Sequence, residues 1–223
     1  MGVQMTDYVI ATLDSVTGRV VVDDEQPGAS MVRDALSSVF DGTGANVGCA
    51  RPAEVLRFPD GPPPPLVRRI RVSGYWHDDF MVGPGRRSVL RMQGCPIRCH
   101  GCYVPETWDS NGGQTVSINT AATALLAARE HDGVTIIGGE PFAQPFALMQ
   151  LVRALKMTRT HVVVYTGFTL ERLRQRSDEE SIGAIEYVLN TIDVLIDGPY
   201  IAALADGAGP WTGSGNQRVH YLR

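Results

Sequence analysis

The stretch GVTIIGGEPFAQPFALMQLVRALKMTRTHVVVYTG runs from Gly133 to Gly167. It opens on a short apolar run and breaks at paired glycines. It resumes with Leu148, Leu151, Val152 and Leu155 at helical spacing, behind a proline suited to a first helical turn, Pro145. His161 to Gly167 then reads as a β-branched strand ending in glycine. Strand, glycine loop, helix and strand form the repeating unit of a parallel α/β sheet. The alternation continues on both sides. Upstream, Arg87–Met92 is a buried-strand candidate, and Ser117–Glu130 reads as a helix with Ile118, Ala122, Leu125 and Leu126 on one face. Downstream, Thr169 is the expected N-cap of TLERLRQ, SIGAIEYVLN is helical, and Asp193–Asp197 is again a strand. Near-continuous apolar strands argue for a parallel sheet covered by helices. Ligands of such folds gather at the C-terminal ends of the strands. Four unusual loops fall there: the one after Met92, then GGEP, YTG and DGP.

The first sixty residues read differently. YVIATL and RVVVDD are β-branched runs separated by DSVTG, a hairpin pattern, and Met31, Val32, Ala35, Leu36 and Val39 fall at helical spacing within 29–40. FPDGPPPP, Phe58–Pro65, favours an extended polyproline stretch and cannot join a helix or central strand. It serves as a linker or as a rigid surface loop. The expected organisation is an N-terminal extension over 1–62, hairpin plus helix, and a core domain over 66–223.

The chain has 223 residues, 43% apolar and 20% charged, with a net charge of −4, ordinary for a globular protein and without the electrostatic footprint of a nucleic-acid binder. No run of about 18 apolar residues is present, so no membrane span is expected, and the N-terminus lacks a signal-peptide pattern. A reducing cytoplasmic location follows as the expectation, in which clustered cysteines bind metal or do redox chemistry rather than staple a fold.

Three of the four cysteines, Cys95, Cys99 and Cys102, stand within RMQGCPIRCHGCYVPETWD, Arg91–Asp109. Pro96 and Gly101 interrupt any continuous helix there, which leaves a short loop able to wrap a metal centre. Thiolates ligate iron–sulfur clusters, normally four at a time, so three leave one metal position open. Structural zinc is the competing reading, with His100 or Cys49 as a fourth ligand. Cys49 itself reads as a lone thiol.

The C-x3-C-x2-C spacing resembles the signature of radical S-adenosylmethionine enzymes. Within that superfamily the chain resembles the activating enzymes of anaerobic ribonucleotide reductase, over roughly Ile70 to the C-terminus. The resemblance rests on GPGRR, GCPIRCHGCYVPETWD with its Trp108, GGEP, VYTGFTLERL, DVLIDGPY and WTGSGNQRVHYLR. Most radical enzymes place an aromatic residue before the third cysteine; here that residue is Gly101 and Tyr103 follows, a feature this branch shares. The first sixty residues have no counterpart in the short activators.

The resemblance implies a partial (β/α)6 barrel, a mostly parallel sheet with helices outside. It implies a 4Fe–4S cluster on Cys95, Cys99 and Cys102, with S-adenosylmethionine chelating the open iron. Gly138, Gly139, Glu140, Pro141, Tyr103, Tyr165 and Thr166 form the implied cofactor-binding set. The implied activity is one-electron cleavage of S-adenosylmethionine to methionine and a 5′-deoxyadenosyl radical, which takes a hydrogen atom from a glycine of a partner glycyl-radical enzyme. An external donor such as flavodoxin or ferredoxin supplies the electron. Radical modification of a peptide or metabolite, and a non-catalytic zinc or iron–sulfur interaction module, are the alternatives.

Single residues keep two readings each. Gly138 and Gly139 allow a ligand to approach the backbone closely. Glu140 adds charge beside the ligand or buttresses the loop. Tyr165 and Thr166 contact an adenosyl group, or Tyr165 packs in the core. Arg86 and Arg87 are read as solvated surface residues, with steering of an anionic substrate as the alternative. Trp108 packs beneath the cysteine loop or meets a partner. Asp197 and Asn216 are polar groups at loop positions without an assigned task.

Overall fold

The computed structural model describes residues 11–13, 20–22, 67–128, 130–175 and 179–223. The chain divides into two compact units, Met1–Arg57 and Phe58–Arg223. In the first, β1 (Ala11–Leu13) pairs antiparallel with β2 (Val20–Val22), Thr12 facing Val21. The helix expected over 29–40, the proline stretch and Cys49 lie outside the described residues.

The second unit is built on one seven-stranded sheet. Its strands are β3 (Arg69–Asp79), β4 (Arg87–Met92), β5 (Gln114–Ser117), β6 (Gly133–Gly138), β7 (Val162–Tyr165), β8 (Val194–Asp197) and β9 (Arg218–Tyr221). Their order is β5-β3-β4-β6-β7-β8-β9. The central four, β4, β6, β7 and β8, run parallel; β3 and β9 pair antiparallel at either side of them, and β5 pairs antiparallel with β3 at the edge. The parallel centre agrees with the alternation in the sequence. The sheet is open, with β5 and β9 as its two edges; closure into a barrel is not seen among the described residues. Beyond β8 the chain turns back on itself as β9, antiparallel to β8.

Helices α1 (Ile118–Leu126), α2 (Pro145–Lys156), α3 (Leu170–Arg174) and α4 (Glu179–Leu189) fall in the connections between the parallel strands. Ser117 caps α1 by accepting from Thr120 N (2.9 Å), and Thr169 caps α3 by accepting from Arg172 N (3.2 Å), each satisfying a donor that the helix leaves open. The Leu148, Leu151, Val152 and Leu155 stripe of α2 is fully buried, packed with Val134, Ile136, Val162, Val164 and Leu195. Each such side chain contributes about 1.5–3 kcal/mol of burial. On the opposite sheet face Val163, Val194 and Ile196 are covered by Trp211, which reaches back from the β8–β9 connection. The period-2 alternation of β7 and β8 thus feeds two apolar layers.

Arg87 is the main departure at single-residue level. It is completely buried, not solvated. The loop at Gly83 and Gly85, both in the left-handed region, wraps over it. Its guanidinium donates to Val134 O (2.6 Å), Thr135 Oγ1 (3.0 Å), His161 O (3.1 Å) and Pro84 O (3.3 Å). Burial lowers its pKa to about 10, opposed by Asp132 and Asp193. It ties together the N-terminal ends of β4, β6 and β7. Arg86 does remain partly exposed, its Nε 2.6 Å from Asp78 Oδ1.

His161 Nδ1 lies 3.2 Å from Arg87 Nη1, and arginine only donates, so this nitrogen accepts and the ring is neutral. Burial, then the Arg87 charge, holds the His161 pKa below its ordinary value. A depressed histidine adds stability above the unfolded pKa of about 6.5, and that stability is lost as pH falls toward the folded value. Thermal stability is therefore expected to fall from pH 7.5 to pH 5, and His161→Gln to flatten that decline. An unchanged pH profile in the variant refutes the assignment.

Candidate functional site

The four loops singled out in the sequence meet at one end of the parallel strands. Met92, Gly138, Tyr165 and Asp197 end β4, β6, β7 and β8, and the chain leaves each in the same direction. One cavity of about 230 Å³ opens there. Its wall carries Cys95, Cys99 and Cys102 from the β4 loop and Gly138–Pro141 from the β6 loop. Tyr165–Gly167 and then Gly198 and Tyr200 complete it from the β7 and β8 loops.

No α-helix forms across the cysteines; the segment is turns and bends, with Arg98 and Gly101 at positive φ. It folds back so that Gly94 N donates to Thr107 O (2.8 Å) and Cys95 N to Trp108 O (3.1 Å). Gln93, buried, donates from Nε2 to Glu106 O (2.9 Å) and Asp109 O (2.8 Å). Gln144 links this turn to the sheet, accepting from Arg71 N and donating to Arg71 O and Gln93 O, each 2.9 Å. Neither glutamine was singled out in the sequence. Their only signal was a polar side chain at a strand end and at a helix start.

The glycine motif contacts the cysteine loop directly. Gly139 N donates to Met92 O (2.9 Å) and Glu140 N to Gly94 O (2.8 Å). A Cβ on Gly139 would stand 2.4 Å from Gly94 O, and one on Gly138 2.5 Å from Met92 N. Close approach of two backbones is thus one use of this pair.

Of the two readings of Glu140, the geometry places the buttress. It is fully buried; Oε1 accepts from Phe142 N and Thr166 Oγ1, both 2.9 Å, and Oε2 from Gly167 N (2.8 Å). The carboxylate locks the β6 loop to the β7 loop while remaining on the cavity wall. Tyr165 reaches the wall but its hydroxyl donates to Trp211 O (2.6 Å), and burial drives its pKa upward.

Tyr103 is not on that wall. It is 76% exposed, and its hydroxyl accepts from Tyr200 (3.0 Å) with ring centroids 5.0 Å apart. Tyr200 takes the wall position instead; nearby, a Cβ on Gly101 would stand 3.1 Å from Ala202 Cβ and in ordinary contact, 3.8 Å, with Tyr200 Cε1.

Asp197 and Asn216 hold the β8–β9 connection. Asp197, fully buried, accepts from Leu170 N (2.6 Å) and from Arg218 Nε (3.0 Å) and Nη2 (2.6 Å). Asn216 Nδ2 donates to Pro199 O (2.7 Å). Both tasks are architectural.

The donor set suits an iron–sulfur cluster. Three soft thiols share one wall, and His100, the described alternative for a fourth zinc ligand, is exposed and absent from it. Among the described residues no three His, Cys, Asp or Glu side chains converge closely enough to hold a single metal ion. A mononuclear zinc would draw its sulfurs to about 3.8 Å from one another, given Zn–S bonds of about 2.3 Å. Burial raises the Cys95 thiol pKa, so ligation there must displace a proton.

An α/β sheet with a three-cysteine loop and a glycine loop on one rim defines a protein of the cysteine-ligated iron–sulfur class. The comparisons are specific. Residues 81–220 match the family described as 4Fe-4S single cluster domain. The anaerobic ribonucleoside-triphosphate reductase-activating protein of Salmonella typhi is 35% identical over 163 residues, 69% of this chain and 100% of that protein. The same-named protein of Escherichia coli K12 is 30% identical over 67% of this chain and 97% of its own length. That of Enterobacteria phage T4 is 32% identical over 63% of this chain and 87% of its own. The chain belongs to this reductase-activating family of radical S-adenosylmethionine enzymes.

Proposed function

We propose that this chain activates an anaerobic ribonucleotide reductase by generating a glycyl radical on it. Cys95, Cys99 and Cys102 hold a 4Fe–4S cluster, and Gly138–Pro141, Tyr165 and Thr166 seat S-adenosylmethionine, with Tyr103 completing the rim through Tyr200. When bound, the two cofactors supply one-electron cleavage of the sulfonium and the adenosyl radical that takes a glycine hydrogen. The protein's own part is positional. Gly139 and Glu140 fix the cysteine loop against the β6 loop, and Glu140 fixes the β7 loop in turn. The apolar wall residues Ile97, Val104 and Ile137 limit water near the reacting atoms. A flavodoxin- or ferredoxin-type donor in the cytoplasm suits the single-electron demand.

The observation that carries this reading is the convergence of three thiols and the glycine motif on one cavity. The test is anaerobic reconstitution with iron and sulfide. A brown protein absorbing broadly near about 400 nm is expected. It is expected to form 5′-deoxyadenosine only with reductant, and to produce a glycyl-radical resonance when mixed with the reductase subunit. A colourless protein holding one zinc, or a reconstituted protein inert toward S-adenosylmethionine, overturns the reading.

A further inference from the structure

The β8–β9 connection carries apolar side chains that the fold itself does not use. From Ile201 to Pro210 every residue except Ala205 is exposed. The short 3-10 helix within it, Ala202–Gly207, buries none of its own residues. Ile201 and Leu204 stand 39% and 44% exposed. Apolar side chains are stabilised by leaving water, and a contiguous exposed group of them marks a surface that another molecule covers.

The segment is held in place and set against the cysteine loop. Trp211 packs on Val163, Val194 and Ile196 and accepts from the Tyr165 hydroxyl (2.6 Å), which anchors its far end. Ser214, fully buried, accepts from Ile201 N (3.2 Å), and Gly215 N donates to Leu204 O (2.8 Å). A platform fixed in advance loses little freedom when a partner binds. On the facing side a Cβ on Gly101 would stand 3.1 Å from Ala202 Cβ, and the Tyr200 hydroxyl donates to Tyr103 (3.0 Å). The exposed Tyr103 ring therefore carries the apolar surface across onto the cysteine loop. Tyr200, which precedes Ile201, lines the cavity that holds the thiols. A chain lying on this surface thus brings its neighbouring residues to the cavity mouth.

The chemistry of the surface selects its occupant. From Gly198 to Gln217 the only Asp, Glu, Lys, Arg or His is Asp206. So little charge gives no electrostatic grip on an acidic or basic partner. Aliphatic and aromatic side chains suit an apolar, uncharged polypeptide segment instead. With Tyr200 as the donor between the two rings, the Tyr103 hydroxyl still has its own hydrogen to give to a backbone carbonyl of that segment. We propose that Ile201–Leu204 and Tyr103 form the docking surface for the glycine-bearing segment of the reductase. The surface rests on the function proposed above, which requires a protein glycine at this cavity.

The test mixes reconstituted full-length protein, S-adenosylmethionine, dithionite and the reductase subunit, and reads the glycyl-radical resonance against reductase concentration. Leu204→Glu and Ala203→Glu each place a charge at an exposed position of the surface. Each is expected to raise the half-saturating reductase concentration by about 10-fold or more. Cleavage of S-adenosylmethionine without reductase stays at the parental rate in both. Met157→Glu is the control. Met157 is 82% exposed at the end of α2, about 18 Å along that helix from the glycine loop, and its replacement leaves half-saturation unchanged. Parental half-saturation in both surface variants, or an equal loss in Met157→Glu, overturns the docking surface alone. The same holds if, with flavodoxin in place of dithionite, only the half-saturating flavodoxin concentration rises, since the surface then receives the electron donor. A parental protein that cleaves S-adenosylmethionine but raises no glycyl radical on the reductase overturns the functional reading, and the surface with it.

Discussion

Placing an alanine at Gly139 is expected to lower 5′-deoxyadenosine formation by about 100-fold or more, the loss typical of an ångström-scale misplacement of a reacting group. The obstruction is purely steric, since Gly139 is not among the glycines with positive φ. Its new Cβ meets three backbone atoms of Gly94, at 2.4 Å (O), 2.8 Å (C) and 3.1 Å (N). Backbone cannot rotate aside as a side-chain tip can. Gly94 must retreat, and Cys95 is its neighbour. The hydrogen bonds from Gly139 N to Met92 O and from Glu140 N to Gly94 O stretch with it. Gly167→Ala supplies the contrast. Its Cβ meets Ile97 Cδ1 at 2.6 Å, the end of a flexible side chain, and the expected loss is much smaller. Iron content after anaerobic reconstitution and product formation are the measurements. Full cluster content and parental turnover in Gly139→Ala refute the steric account.

Arg87→Met is expected to destabilise the protein by about 3–5 kcal/mol, because several buried acceptors lose their donor at once. Val134 O, Thr135 Oγ1, His161 O and Pro84 O all accept from this one guanidinium, although His161 O keeps Val134 N and Thr135 Oγ1 keeps its bond to Val82 O. Methionine fills much of the volume but donates nothing. For a unit of this size the change corresponds to a fall of about 6–20 °C in thermal midpoint. Arg87→Lys keeps a charge without the fork and falls between. A midpoint within a degree of the parent would show that the clamp is dispensable.

Most of the parallel centre was legible. Arg87–Met92 is both the strand read from the sequence and the strand observed, and the α2 stripe faces the core as its spacing requires. The cysteine loop was legible because proline and glycine exclude a helix locally. What could not be read depends on partners distant in sequence. Arg87 looks like any surface arginine until a glycine turn and two neighbouring strands supply its acceptors. The long strand β3 escaped notice because Gly74 and charged residues break its pattern, and its pairing with β4 shifts register at two places. The open edge of the sheet has a similar cause: alternation predicts parallel neighbours but not how many, and β9 pairs the other way. At the site, the thiols and the glycines announce themselves. Gln93 and Gln144 do not, since the backbone groups they bridge lie elsewhere in the chain.

The contact between Gly101 and Ala202 couples two positions a hundred residues apart in volume. A side chain gained before the third cysteine would press on the connection that carries Tyr200, which would have to give by a few tenths of an ångström. Grafting a cysteine segment with a bulkier residue at that position therefore calls for reshaping the facing connection at the same time, much as a new key calls for a recut lock.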